Sequence, residues 1–302
     1  MRVFVTGASG HIGSLVTAEL VENGHEVFGL ARSDASAERV AALGGTPVRA
    51  SLADPERIAE AAAAADGVVH LAFIHDFANF AESVAAERAV IEAIADALDG
   101  SGKPFLPASG TMMLAYSPHE GIGTEDMRGD PSLTPNPRTG IENYVLDLTE
   151  RGIRSAPLRF SPTVHGPTDL HGFIPVLIDV ARANGYAGYV GDGDNRWPAV
   201  HNLDAAHLIV RGLEKAPGGM PLHAVGDEGI PFREIAEAIG RGAGVPTKSL
   251  TQEEASASMG FIGGFAAVDN ATSSAKTQEV LDWKPTHPGL LEDLAEGFYF
   301  TR

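Results

Sequence analysis

The chain has 302 residues, 44% hydrophobic and 21% charged, the composition of a globular protein with one large domain or two smaller ones. It carries 22 Lys and Arg against 40 Asp and Glu, a formal net charge of −18, which argues against nucleic acid or an anionic membrane surface as partner. The absence of cysteine excludes disulfides, thiolate metal sites and a thiol nucleophile, and fits a cytoplasmic protein.

No targeting segment is expected, because Met1 to Gly7 run directly into a strand and a glycine turn. No stretch reaches the ~18 apolar residues of a membrane helix. Arg2–Val5 is read as a buried strand, and the apolar stripe Ile12, Leu15, Val16, Leu20, Val21 as a helix stopped by Gly24. Strands at 26–31, 47–50, 67–72 and 104–108 then alternate with helices at 35–43, 55–65 and 77–99. A helix over 138–151 and a strand over 155–160 follow. Such alternation predicts an α/β fold with a doubly wound parallel Rossmann sheet.

After Phe160 the density of Gly and Pro rises, and helices near 203–214, 231–243 and 288–297 no longer alternate regularly with strands. This predicts a smaller, mixed C-terminal substrate lobe. The expected division is a dinucleotide-binding domain of residues 1–165 joined by about 195–225, with 166–194 and 226–302 in the lobe.

The run Thr6-Gly7-Ala8-Ser9-Gly10-His11-Ile12-Gly13 stands between the first strand and the first helix. Gly7 permits the tight turn, Gly10 lets backbone approach a pyrophosphate, and Gly13 lets helix and strand pack closely. The helix N-terminus offers unpaired N–H groups to the phosphates. At the end of the second strand, Ala31 cannot bind a ribose diol, whereas the guanidinium of Arg32 suits a 2′-phosphate. The expected cofactor is therefore NADP(H).

The glycine loop, His70-Leu71-Ala72-Phe73, Pro162 to Pro167, Ala199 to Ala206 and Asp282-Trp283-Lys284-Pro285 together resemble the extended short-chain dehydrogenase/reductases, which include the NAD-dependent epimerase/dehydratase group. The resemblance spans essentially the whole chain. It implies that Gly7, Ser9, Gly10, His11, Ile12, Arg32, Ser51, Leu52, Leu71, Ala72, Phe73, Ser109, Arg138, Pro162, Thr163 and Val164 line the cofactor.

The resemblance also implies a Tyr and a Lys four residues apart on one helical face, with a Ser or Thr on strand five. Here the sequence departs from the pattern. Counted back from Arg151-Gly152 and Arg159, the Lys position falls on Arg138 and the Tyr position on Thr134; a shifted alignment pairs Arg138 with Glu142. The usual Ser falls on Gly110, beside Thr111. A threonine does not ionise near neutral pH, and an arginine stays charged. Thr111 is the expected group polarising a carbonyl, with Arg138 holding the ribose and the oxyanion. Tyr116, Tyr144, His165 and His171 are candidate replacement proton donors.

No metal site is expected among the 11 histidines, and no Gly-x-Ser-x-Gly elbow follows a strand. Arg196 is the one well-placed cation for a substrate diphosphate. The apolar stretch Met259 to Phe265 favours a small or apolar carbonyl compound over a nucleotide sugar, or else forms the lobe's own core. The leading expectation is an NADPH-dependent reductase of an aldehyde or ketone. A non-catalytic NADP(H)-binding sensor or scaffold is the alternative, ahead of a nucleotide-sugar epimerase or dehydratase. A homodimer through helices 77–99 and 138–151 is expected from the stripe Val84, Ile91, Ala95, Leu98.

Overall fold

A computed structural model describes residues 1–76, 79–117, 121–134 and 136–301. The first half runs β1 (Arg2–Thr6), α1 (His11–Glu22), β2 (Glu26–Ala31), α2 (Asp34–Ala42), β3 (Thr46–Arg49), α3 (Pro55–Ala64), β4 (Gly67–His70), α4 (Phe80–Leu98) and β5 (Pro104–Gly110). A 3-10 turn over Thr111–Tyr116 leads on to α5 (Arg138–Asp147), β6 (Arg154–Ser155), β7 (Leu158–Phe160) and β8 (Thr163–His165). Next come α6 (Phe173–Asn184), β9 (Ala187–Val190), β10 (Arg196–His201), α7 (Asn202–Lys215), β11 (Leu222–Ala224) and β12 (Asp227–Pro231). The chain closes with α8 (Phe232–Ala243), β13 (Thr247–Leu250), α9 (Gln252–Ser258), α10 (Gly260–Gly263), α11 (Ala275–Leu281) and α12 (Leu290–Glu296).

The large sheet has the order β11-β7-β5-β4-β1-β2-β3, with β6 also pairing to β5, and every pairing is parallel. Strand order reverses between β1 and β4, which opens a crevice at the carboxyl ends of those strands. On β1 the side chains alternate. Val3 and Val5 enter the core under α1 and α7, and Phe4 enters the opposite core under α3 and α4. A second body is built on the sheet β12-β10-β8 and the parallel pair β13-β9, around Ile174, Trp197, Phe232 and Ile235.

Several boundaries differ from expectation, each for a local reason. The strand expected over 155–160 is two short strands, because Pro157 lacks the N–H needed for a ladder bond. The helix expected over 138–151 is α-helical to Asp147, tightens to a 3-10 turn, and ends at Gly152 with φ 68°. β5 runs two residues further than expected, and the 3-10 turn after it carries no sequence signal that was recognised. Phe77 and Ala78, at the start of the helix expected over 77–99, lie outside the described residues.

The lobes also divide differently in detail. The chain leaves the large sheet after Phe160, since β8 pairs with β10. It returns with α7 and β11, and Trp283 near the C-terminus is buried in the large sheet's core. The stripe Val84, Ile91, Ala95, Leu98 is wholly buried within the chain itself, so it lends no support to a two-fold helix pair. Among the described residues no helix is long and apolar enough to cross a membrane.

Two glycines test the packing at the crevice. A Cβ on Gly13 would lie 2.0 Å from the Gly7 carbonyl oxygen, whereas a Cβ on Gly140, inside α5, would meet nothing within 4 Å. Gly13→Ala is expected to destabilise the fold by about 1–3 kcal/mol, the usual cost of overpacking. Gly140→Ala is expected to stabilise it by about 0.5–1 kcal/mol through helix propensity. Denaturant unfolding of both variants checks this, and equal effects would contradict it.

Candidate active site

At the crevice, Gly7 adopts φ 69°, and a Cβ there would sit 2.9 Å from the Ala72 nitrogen, so only glycine fits between β1 and the end of β4. Thr6 Oγ1 accepts from the Ala72 N–H at 3.1 Å and shares a 2.7 Å hydrogen bond with His70 Nδ1, which locks the turn to β4. Gly10 starts α1 without a side-chain cap, and a Cβ there would meet only the Gly7 carbonyl, at 3.2 Å. The outer side of the turn is therefore bare backbone at a helix N-terminus, which fits a pyrophosphate. His11 Nε2 accepts from Asn202 Nδ2 at 3.0 Å, and Asn202 also donates to Thr168 Oγ1, so α1 is tied to the segment after β8. Burial lowers the His11 pKa, against an opposing pull from Asp169.

At the end of β2, Ala31 is buried and Arg32 is exposed with no partner among the described residues. Two further arginines meet this corner. Arg39 Nη1 donates to the Ser9 carbonyl at 2.9 Å, and Arg49 reaches the Ser33 carbonyl and the Asp34 carboxylate. Neither was singled out by sequence reasoning, because α2 and β3 bring them together only in the fold. The Asp54 carboxylate accepts from the N–H and the hydroxyl of Ser51 in the turn after β3, and Leu52 packs against the core beside it.

The end of β5 is fixed by two buried ion pairs. Arg138 Nε and Nη2 donate to the two oxygens of Glu87 at 2.8 and 2.6 Å, and Nη2 also reaches the Ala108 carbonyl at 3.0 Å. Glu87 is 2% exposed and Arg138 20%, with the guanidinium 4.7 Å from the Phe73 ring centroid. Nη1 of Arg138 has no partner among the described residues. One turn along α5, Glu142 accepts from Arg159 Nε and Nη2 at 3.0 and 2.6 Å and from the hydroxyl of Ser109. Arg159 is fully buried and also donates to the Met127 carbonyl. Residues four apart on the face of α5 toward β5 are thus Arg138 and Glu142, the shifted alignment, while Thr134 lies in the turn before the helix.

Other expected residues fall elsewhere. Thr111 is fully buried, and its hydroxyl accepts from Asn270 Nδ2 at 2.9 Å. It joins the end of β5 to the C-terminal lobe, while Ser109 on β5 is half-buried. Tyr116 ends the 3-10 turn, burial pushes its pKa up, and no hydrogen bond joins it to Arg138 or Ser109. Tyr144 accepts from Arg151 on the other side of α5. His165 is fully buried against Asp293, 2.6 Å from its carboxylate, so it does not border an entrance; His171 is exposed. Leu71 and Phe73 line the end of β4. Pro162, Thr163 and Val164 lead into or form β8, where Thr163 is bonded to the Pro198 carbonyl. Among the described residues no group of three His, Asp or Glu is arranged to hold a metal.

Two histidines at this edge are held neutral. Burial, then the Arg138 charge, lowers His70 to about 3, and burial, then Arg159, lowers His223 to about 3. The unfolded chain takes up protons on both below about 6.5, and the folded chain does not until near 3. Stability is therefore complete above about pH 6.5 and falls as pH drops toward 3, by about 1.4 kcal/mol per pH unit for each group. Denaturant midpoints measured between about pH 7 and pH 5 are expected to decline. A midpoint that holds constant across that range in both wild type and His223→Gln would contradict the assignment.

Comparison with known proteins bears on the family and the fold. The NAD dependent epimerase/dehydratase family matches residues 3–223. An uncharacterized protein of Schizosaccharomyces pombe is 45% identical over 300 residues, covering 99% of this chain and 100% of that protein. The sterol-4-alpha-carboxylate 3-dehydrogenase (decarboxylating) of Dictyostelium discoideum is 26% identical, over 82% of this chain and 78% of its own. MoeE5, solved in complex with UDP-glucuronic acid and NAD, superposes with a TM-score of 0.72 at 22% identity, covering 100% of this chain and 99% of its own, which is a likeness of fold. The chain belongs to the NAD-dependent epimerase/dehydratase family, a family of nicotinamide-dependent enzymes.

Proposed function

We propose that the protein is an NADP(H)-dependent oxidoreductase that reduces an aldehyde or ketone. The observation that carries this is Arg138, a fixed cation held by buried Glu87 beside Ser109, with Nη1 unengaged among the described residues. A bound nicotinamide would supply the hydride. Arg138 would hold the substrate oxygen through Nη1 and stabilise the negative charge that grows there. Glu87 orients the guanidinium, and its buried carboxylate balances the charge. Ser109 gives its own proton to Glu142, so toward the crevice it offers lone pairs that position a donor. Because arginine does not titrate, the proton that completes the alcohol comes from water. The sterol dehydrogenase among the relatives supports hydride chemistry as the reaction class.

The choice of NADP(H) rests on Ala31, on Arg32 and on the two arginines that flank it, Arg39 and Arg49. A charge-assisted phosphate contact contributes about 1.5–3 kcal/mol. Arg32→Ala and Arg39→Ala are each expected to weaken NADPH binding by about 10- to 100-fold and NADH binding little. Titration calorimetry with both cofactors checks this, and equal losses for the two would contradict it. Arg138→Lys, which cannot make the forked contact to Glu87, is expected to lower turnover of NADPH with a carbonyl panel by about 10²–10³ and to weaken NADPH binding far less. Tight NADPH binding without turnover on any carbonyl would favour a cofactor-binding sensor.

A further inference from the structure

The carboxyl ends of β1, β4 and β5 put three polar side chains on one face of the sheet. Side chains alternate along each strand. Phe4, Val68 and Phe105 enter the core shared with α4 and α5, so Thr6, His70 and Ser109, two residues further along, face the same way. The Ser109 hydroxyl agrees with that direction, since it bonds Glu142 on α5. In register, His70 lies between Thr6 on β1 and Pro107 on β5. Ser109 is therefore its diagonal neighbour on that face, within reach of a long side chain. The Ala108 carbonyl, between Pro107 and Ser109, holds Arg138 Nη2, and the Arg138 charge acts on the His70 ring.

Hydrogen bonding fixes the tautomer of that ring. Thr6 Oγ1 accepts from the Ala72 N–H at 3.1 Å, and His70 Nδ1, at 2.7 Å, is the other partner of this buried hydroxyl. The hydroxyl proton therefore goes to Nδ1, and the ring proton sits on Nε2. His70 is 1% exposed, and its Nε2 has no hydrogen-bond partner among the described residues. A buried N–H of this kind is ordinarily met by an ordered water. On the same face Ser109 gives its proton to Glu142 and keeps lone pairs for a donor.

We infer that His70 is a positioning residue, holding the water from which the product alcohol takes its proton. This rests on the reading of Arg138 as the group that holds a carbonyl oxygen. The water accepts from His70 Nε2–H, donates one O–H to Ser109 Oγ, and turns the other toward the oxygen on Arg138 Nη1. Hydride from the reduced nicotinamide adds with its electron pair to the carbonyl carbon, and the C=O π pair moves to oxygen. That oxygen takes a proton from the water. The hydroxide left behind stays on His70 Nε2–H beside the Arg138 cation and is reprotonated from solvent. His70 stays neutral throughout, so it sets where the water stands and adds no pH dependence above about pH 7.

The first test uses the protein without cofactor. Nitrogen NMR of histidine-labelled protein is expected to show opposite tautomers for the two histidines held neutral. His223 should carry its proton on Nδ1, which faces the Ser273 carbonyl, because its Nε2 accepts from Arg159. His70 should carry it on Nε2, with cross-relaxation from that proton to a long-lived water. The second test uses two variants, whose missing resonances also assign His70. His70→Asn keeps an amide level with Nδ1 for Thr6 and removes Nε2, whereas His70→Gln places an amide near Nε2. In single-turnover NADPH oxidation at saturating aldehyde, His70→Asn is expected to be about 10²-fold slower, with aldehyde half-saturation and NADPH affinity little changed. His70→Gln is expected to recover most of that loss. A held water on His70 Nε2–H in a protein that reduces no aldehyde would refute the reductase reading and leave the water site standing. A proton on His70 Nδ1, an Nε2–H without a long-lived water, or a His70→Asn rate equal to wild type would overturn the inference. So would a His70→Gln rate no better than that of His70→Asn, or a His70→Asn loss that follows NADPH affinity.

Discussion

The buried contact between Glu87 and Arg138 sets the geometry on which the rest of the site depends. It joins α4, which carries Glu87, to the first turn of α5, which carries Arg138, and through the Ala108 carbonyl it fixes both to β5. A buried carboxylate without its cation is costly, so neither partner can leave alone. The forked geometry fixes the orientation as well as the position of the guanidinium. A second pair, Arg159 with Glu142, repeats the arrangement between β7 and α5 and reaches Ser109 on one side and His223 on the other. The carboxyl edge of the sheet is therefore pinned by charge, while the glycine turn across the crevice is pinned by crowding against β4.

This division separates two kinds of chemistry along one edge. On the β1–β3 side the chain offers backbone N–H groups and the cluster Arg32, Arg39 and Arg49, in a molecule whose formal charge is −18. Net charge bears on polyanion partners, whereas local charge at this corner bears on the proposed cofactor. On the β5 side the cations are balanced one by one, by Glu87, Glu142 and Asp269. The first arrangement is what the proposed NADP(H) reading rests on, and the second is what the proposed contact of Arg138 with a carbonyl oxygen rests on.

The strands and helices of the first half were legible because they are short, strongly periodic and punctuated by glycine, as at Gly24, Gly44 and Gly152. The glycine turn was legible for the same reason. The residues that complete the site were not. Glu87 stands on a helix whose stripe reads as plain core, 51 residues before Arg138. Asn270 lies 159 residues from Thr111, and nothing in either local sequence signals the contact that ties the end of β5 to the C-terminal lobe. The four-residue spacing read from sequence was open by one helical turn; α5 begins at Arg138, which leaves Thr134 in the preceding turn and sets Arg138 and Glu142 together on the helix. Register of this kind is set by packing against β5, which a single sequence does not contain.

The central claim is that a fixed cation, and not an ionising phenol, stabilises the reacting oxygen. The most direct measurement is the pH dependence of hydride transfer in a single turnover of the NADPH complex with an aldehyde. A non-titrating Arg138 predicts a rate that is flat between about pH 7 and pH 10. A rate that declines toward the alkaline end of that range, or one that Tyr116→Phe lowers by about 10²-fold or more with NADPH binding intact, would contradict the account.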